Sequence, residues 1–436
     1  MLNHTLAQAD PQITRIMEDE LVRQQTTLML IPSENYASRA VMRAMGSVFT
    51  NKYAEGYPGA RYYNGCENYD KVETLAIERA KSIFHCDHVN VQVHTGSQAN
   101  MAAYYALLQP GDKILAMSVD QGGHLTHGKK QNFSGQMYDA HFYTVDRQTN
   151  LIDYDQVLEV AREVQPKLIV AGASAYPRII DFQKFREIAD EVGAYLMADI
   201  AHIVGLVAAG SHPDPVPYCD VVTSTTHKTL RGPRGAMIMC TSKWAKRIDQ
   251  AVFPGVQAGP LMQIIAAKAV CFHEAETFGF REYQRQIIRN CQTLAQTLME
   301  EGFEPVTGGT DNHLLLIDLN NKSITGREAA DLMEAAGMVC NKNLIPYDER
   351  SAVETSGIRP GTPAVTSRGM REEQMHQIGK WIAEVIHKGR DDEAVIERIR
   401  GEYLMVGSLA EVDSAGFAEE FAQAAGPPRH ARMKSA

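Results

Sequence analysis

The sequence predicts an α/β protein: a large domain on a mostly parallel sheet with helices on both faces, a smaller α/β C-terminal domain and an N-terminal arm. Three observations carry that prediction. From Tyr154 to Cys240, helical patterns alternate with the strand-length apolar runs KLIVAGA, AYLMA, VVTS and GAMIMC. Strands with almost continuous apolar character belong to parallel sheets buried on both faces. Residues able to do chemistry (Ser174, Asp199, His202, Thr225 and Lys228) fall just after these runs, where open α/β sheets gather their ligands. Finally, 436 residues with 44% apolar content are enough to build two cores.

The elements follow in order. In the arm, residues 1–50, Ile13, Ile16, Met17 and Leu21 recur at helical spacing. A lone helix cannot bury its own apolar face, so the arm is expected to pack on another subunit. Pro32 ends any helix and leaves Ser33 in a turn, where it reads either as a site residue or as a helix cap. The large domain is placed at 51–279. Near its start, Thr50 to Cys66 holds Tyr53, Tyr57, Tyr62 and Tyr63 with Glu55, Arg61 and three glycines, and has no apolar periodicity. Such a loop lines a site or an interface. Val89–Val93 reads as a strand, and Thr95-Gly96-Ser97 then opens a helix, a place where free N–H groups and the helix dipole favour an anion. After the strand Lys113–Met117 come His124 and His127. Two histidines three apart suggest a metal, but no third ligand stands at a suitable spacing, and zinc is rejected. The small domain, 280–436, reads as a long polar helix (Glu282–Glu300), the strand HLLLIDL, and helices at Arg327–Ala336 and Glu372–His387. The tail Phe417–Ala436 is expected to fray.

A formal charge of −10 argues against a nucleic-acid surface, which needs clustered cations. Seven scattered cysteines without a CxxC pair point to reduced thiols. No run approaches the roughly 18 apolar residues of a membrane helix, and no signal segment is evident. A cytoplasmic protein without a membrane partner is expected.

The chemistry centres on Val221–Gly235, VVTSTTHKTLRGPRG. A β-branched strand leads to Lys228, and Gly232, Pro233 and Gly235 forbid a helix. A lysine at a strand end among Ser224, Thr225, Thr226 and Thr229 is partly desolvated with donors around it, as a Schiff-base lysine requires. A solvated loop lysine is the other reading of this stretch alone. Twenty-nine residues earlier (228 − 199), AYLMAD ends a buried strand in Asp199. In pyridoxal 5′-phosphate (PLP) enzymes such an aspartate pairs with the pyridine nitrogen.

These stretches, with IPSENYAS, TNKYAEGYPGARYYNGC, HTGSQAN, GGHLTHG, ADIAHIVGLVAAG, SAYPR, VFPGVQAGP, NKNLIP and TSGIRPGTPAVTSRG in that order, closely resemble serine hydroxymethyltransferases, fold-type I PLP enzymes. The resemblance implies conversion of serine and tetrahydrofolate to glycine and methylenetetrahydrofolate by a homodimer with shared sites, as such or as half of a tetramer. Lys228 would carry PLP and Asp199 would face its nitrogen. His124 would stack on the ring, and His202 would lie near its phenolic oxygen. Thr95, Gly96 and Ser97, with Ala258 and Gly259 of the neighbouring subunit, would hold the phosphate. Ser174 and His227 complete the cofactor set, and Thr225 supports catalysis. Ser33, Tyr63 and Arg359 would bind the amino acid, with Arg359 on its carboxylate. Tyr53 and Glu55 would reach the partner's site, where Glu55 moves a proton. Val119, Gly123, Leu125 and Asn343 would line the folate pocket. The sequence departs from the family's habit at Val93, Thr95, Val119, Ala258, Gln263 and Pro360. An enzyme for α-methylserine, or a folate-independent aldolase for β-hydroxy amino acids, is therefore the alternative.

Overall fold

A computed structural model describes residues 4–407, so the tail Phe417–Ala436 lies outside the described residues. Seven strands build the large sheet: β1 (His88–Asn90), β2 (Lys113–Met117), β3 (Asp139–Tyr143), β4 (Leu168–Ala171), β5 (Tyr195–Asp199), β6 (Val221–Thr225) and β7 (Ala236–Cys240). Their spatial order is β1-β7-β6-β5-β4-β2-β3. β7 runs antiparallel to both β1 and β6, and all other pairs are parallel.

Side chains along these strands alternate between two cores, as a period of two dictates. Leu115, Met117, Ile169, Ala171, Leu196, Ala198 and Val222 face one cluster. Ile114, Ala116, Leu168, Val170, Met197 and Val221 face the other. Helices Phe182–Val192 and Met262–Ala275 cover the first face, and Gly96–Leu107 covers the second with Ala99, Ala102, Ala103 and Tyr104. Each fully buried aliphatic side chain contributes about 1.5–3 kcal/mol, which is why the sheet tolerates so few polar residues.

The helix Phe278–Glu300 joins the two halves. Phe280 packs in the first core, whereas Cys291, Leu294 and Leu298 belong to a third. That third core lies against a four-stranded antiparallel sheet, β8 (Glu304–Pro305), β9 (Ile317–Asp318), β10 (Asn341–Asn343) and β11 (Gly357–Arg359), ordered β8-β9-β11-β10. The arm enters it too: Leu28–Met29 pairs in parallel with Met338–Val339, and Leu28 and Leu30 are fully buried in this core. Further up the arm, the helix Pro11–Gln25 leaves Ile13 and Ile16 exposed at 45% and 62%.

Two expected strands are shorter than their apolar runs. Past β1, the carbonyls of Val91 and Val93 accept from the buried Lys268 ammonium (2.6 and 3.0 Å) instead of a neighbouring strand. The run His313–Leu319 pairs regularly only at Ile317–Asp318, because Pro360 has no N–H to give. Its carbonyl accepts from Leu315 (2.8 Å), and one isolated bridge, Leu314 to Gly361, follows. The loop expected at Phe253–Pro260 follows the helix Ala245–Gln250 and opens on an extended residue, Phe253 (φ −126°, ψ 123°), ahead of Pro254.

Candidate active site

The carboxyl ends of β5 and β6 lie side by side, with Asp199 opposite Thr223 in register. Asp199 is held by its surroundings rather than by a single partner. Its Oδ2 accepts from Asn100 Nδ2 (2.9 Å) and His127 Nε2 (3.0 Å), and its Oδ1 accepts from the Ala201 N–H (3.1 Å). Burial alone would favour the neutral acid, but His127, His124 and Asn100 outweigh it and hold this carboxyl well below the usual range. Asp199 is therefore a fixed anion. Thr223 Oγ1 in turn donates to Asn100 Oδ1 at 2.6 Å.

His127 donates to Asp199 from Nε2, and its Nδ1 accepts from the His124 N–H (3.3 Å). Sequence spacing offered no third metal ligand beside His124 and His127, but the fold supplies one in Asp199. His127 Nε2 and Asp199 Oδ2 meet each other directly there, in a 3.0 Å hydrogen bond. His124 is fixed just as closely. Thr126 Oγ1 accepts from Asn100 (2.7 Å) and lies 2.7 Å from His124 Nδ1, to which it gives its own proton. Burial pushes the His124 imidazole down to about 4, so a neutral flat ring is presented.

Lys228 follows β6 by three residues and lines the cavity floor, half-buried. Burial first, and the cations Arg359 and Arg234 after it, lower its amine to about 8, with Asp199 opposing. The hydroxyl donors expected around it are turned elsewhere. Thr226 donates to the Pro233 carbonyl, Thr229 to that of His202, and Ser224 to that of Thr225. They shape the loop, and fixed charges tune the lysine.

At the far wall Thr95 caps the helix Gly96–Leu107, accepting from the Gln98 N–H at 3.3 Å. Gly96 cannot carry a side chain there, since a Cβ would lie 2.7 Å from Thr225 Cγ2. The cavity, about 260 Å³, brings together Thr95, Gly96, Ser97, His124, Ser174, Asp199, His202, Thr225, His227 and Lys228, with Asn100, His127 and Arg234 beside them. His227 Nδ1 is buried without a partner.

A second cavity of about 530 Å³ opens beside it and shares His124, Ser174, His202 and Lys228. Ser33, Val119, Gly123, Leu125, Asn343 and Arg359 line it. Gly123 permits the loop's approach to β2, because a Cβ would fall 2.1 Å from the Met117 carbonyl oxygen. Arg359, at the end of β11, is 9% exposed. Its Nη1 donates to the Ser174 carbonyl and its Nη2 to Asn341 Oδ1 (3.3 Å), while Nε has no partner. Burial lowers it to about 10, still a cation at neutral pH, and no carboxylate is paired with it among the described residues. Such a guanidinium is a receptor for an anion.

Tyr53, Glu55, Tyr63, Ala258 and Gly259 line neither cavity. They meet one another instead. The Tyr53 and Tyr63 ring centroids lie 6.0 Å apart, and a Cβ on Gly259 would come within 2.8 Å of the Tyr53 ring. Arg61 clamps the loop, donating to the carbonyls of Ala54 (2.7 Å) and Gly56 (2.9 Å) on either side of Glu55. Ala258 avoids positive φ, so it replaces a glycine without strain.

Asn100, Thr126, His127 and Arg234 were not singled out for these roles by sequence. Only His127 left a signal, as half of a two-histidine pattern that pointed to metal. The set fits pyridoxal 5′-phosphate on three counts: a buried anion for a pyridinium, a lysine with a lowered pKa, and a helix terminus that glycine keeps open for phosphate. A family model described as serine hydroxymethyltransferase matches residues 6–382, which takes in every residue placed above. The chain belongs to the serine hydroxymethyltransferase family, fold-type I enzymes that depend on PLP.

Proposed function

We propose that this protein is a serine hydroxymethyltransferase that passes the hydroxymethyl carbon of serine to tetrahydrofolate and releases glycine. The buried Arg359 guanidinium carries the reading. It has two neutral partners and an unused Nε, and it opens on the same cavity as Lys228. A rigid, water-poor cation of this kind selects an α-carboxylate. Asp199 would hold the proton on the pyridine nitrogen, His124 would cover one ring face, and the Thr95-Gly96-Ser97 terminus would hold the phosphate. When bound, PLP supplies an electron sink for the bonds at the amino acid's α-carbon.

The second cavity suits the folate. Its volume is in the usual range for small-molecule sites, and Leu125, Val119 and Asn343 give it an apolar wall with a polar end. Glu55 and Tyr53 stand away from Lys228, and their clamped loop supports a homodimer in which each chain lends them to its neighbour. Glu55 would there take the proton of the β-hydroxyl. Glycine formation from serine should depend on tetrahydrofolate and exceed turnover of α-methylserine. Faster turnover of α-methylserine, or equal rates without folate, would replace this reading with its alternative.

A further inference from the structure

Two imidazoles meet where the large and small domains touch. His202 follows β5, and His313 precedes the Leu314 bridge of the small domain. They are 5% and 0% exposed, and His202 Nδ1 lies 3.2 Å from His313 Nε2. Their backbones are anchored too: the His202 carbonyl accepts from Thr229 Oγ1 (2.8 Å), and that of His313 from the Thr362 N–H (3.1 Å).

Both rings are neutral. Burial and the facing cations Lys228 and Arg359 push them down, His313 to about 3, and the other titratable groups facing the pair are His124 and His212. A neutral imidazole carries one N–H, so the contact has a direction. His313 Nδ1 is buried without any hydrogen-bond partner. Were His202 the donor, the His313 proton would sit on that Nδ1 as a buried N–H with no acceptor. Orphaned buried donors are rarer than under-used acceptors. The reverse arrangement leaves only a lone pair idle. The proton therefore lies on His313 Nε2 and is shared with His202 Nδ1. The proton of His202 then stands on Nε2, the nitrogen left for the cavities that this residue lines.

We propose that His313 is a positioning residue, donating from Nε2 to His202 Nδ1 and thereby holding His202 as an N–H donor to an anionic oxygen in the site. That oxygen is the cofactor's phenolate or the amino acid's carboxylate. The inference rests on the reading of this cavity as the PLP site. Through it the small domain, which also carries Arg359, sets the hydrogen-bonding state of a large-domain residue.

The test uses PLP-loaded protein with His313→Leu, which removes the donor, and His313→Gln, whose amide can take the place of Nε2. If the acceptor is the phenolate, His313→Leu raises the pH midpoint of the visible cofactor band by about one unit. If it is the carboxylate, serine binds about tenfold more weakly and the band stays in place. In either case Gln restores the wild-type value, and His202→Phe combined with His313→Leu adds little to either change alone. Unchanged band and affinity in a folded His313→Leu protein would overturn the proposal, as would a change that Gln leaves uncorrected. Should the Leu variant fail to fold, His313→Asn, whose amide is too short to reach His202, takes its place under the same criteria. A wild-type protein that shows no visible band with PLP would instead defeat the reading of the site itself.

Discussion

Lys228 illustrates how much of a residue's chemistry comes from distant parts of the chain. Its lowered pKa depends on burial and on Arg359 and Arg234, with Asp199 pulling the other way. Competitive acylation of the cofactor-free protein should give this amine a midpoint near 8 rather than 10.5. The neutral form grows as pH rises through that value. Arg359→Met removes a cation and should raise the midpoint, whereas Asp199→Asn removes an anion and should lower it further. A midpoint unmoved by both changes would assign the shift to burial alone. Arg359→Ala should weaken serine binding by about 3 kcal/mol, roughly a hundredfold, and leave PLP bound. Titration of serine followed by absorbance measures both, and Arg359→Lys should recover little, since a point charge cannot replace a planar fork. At this scale the sequence displayed Asp199 and Lys228 because they lie at or just past the end of a strand pattern, and Arg359 through the resemblance of its motif. It hid Asn100, Thr126 and His127, whose roles arise only where a helix, a loop and a strand end converge on one carboxylate.

Among the elements, the helix Gly96–Leu107 is built to deliver its N-terminus to the cavity. Thr95 caps it, and the missing side chain at Gly96 lets Thr225 close in. Gly96→Ala should therefore weaken PLP binding about tenfold, a modest cost for overpacking. Adding Thr225→Ser deletes the obstructing methyl and should restore most of the affinity, measured by fluorescence titration of the cofactor-free protein. Failure of the second change to compensate would place the loss in the backbone of the helix terminus. Six of the seven strands of the large sheet were legible because apolar runs bounded by turn residues leave few alternatives, whereas the edge strand Asp139–Tyr143, with only Tyr143 buried, has no such run and was not read. The runs at Val89–Val93 and His313–Leu319 were misread in length. In one case a buried lysine takes the carbonyls, and in the other a proline removes a partner's N–H, events that local pattern does not record.

For the molecule as a whole, Glu55 and Tyr53 stand apart from Lys228 within one chain. Mixing Lys228→Ala chains with Glu55→Ala chains, each inactive alone, should restore activity, because one of the two sites in the mixed dimer carries no lesion. Mass measurement confirms subunit exchange, and persistent inactivity after exchange would mean that Glu55 serves its own chain. The arm bears on assembly at an earlier moment in the protein's life. Leu28 and Leu30 lie fully buried, and Leu28 pairs with Met338, 310 residues later (338 − 28). Synthesis proceeds from the N-terminus, so Leu28–Leu30 leaves the ribosome well before Met338 and waits for it before it can be covered. The small domain cannot close until most of the chain exists, and a nascent chain halted before Met338 should remain open to protease at Leu28–Leu30. Covering Leu28–Leu30 thus reports that the chain has been made as far as Met338.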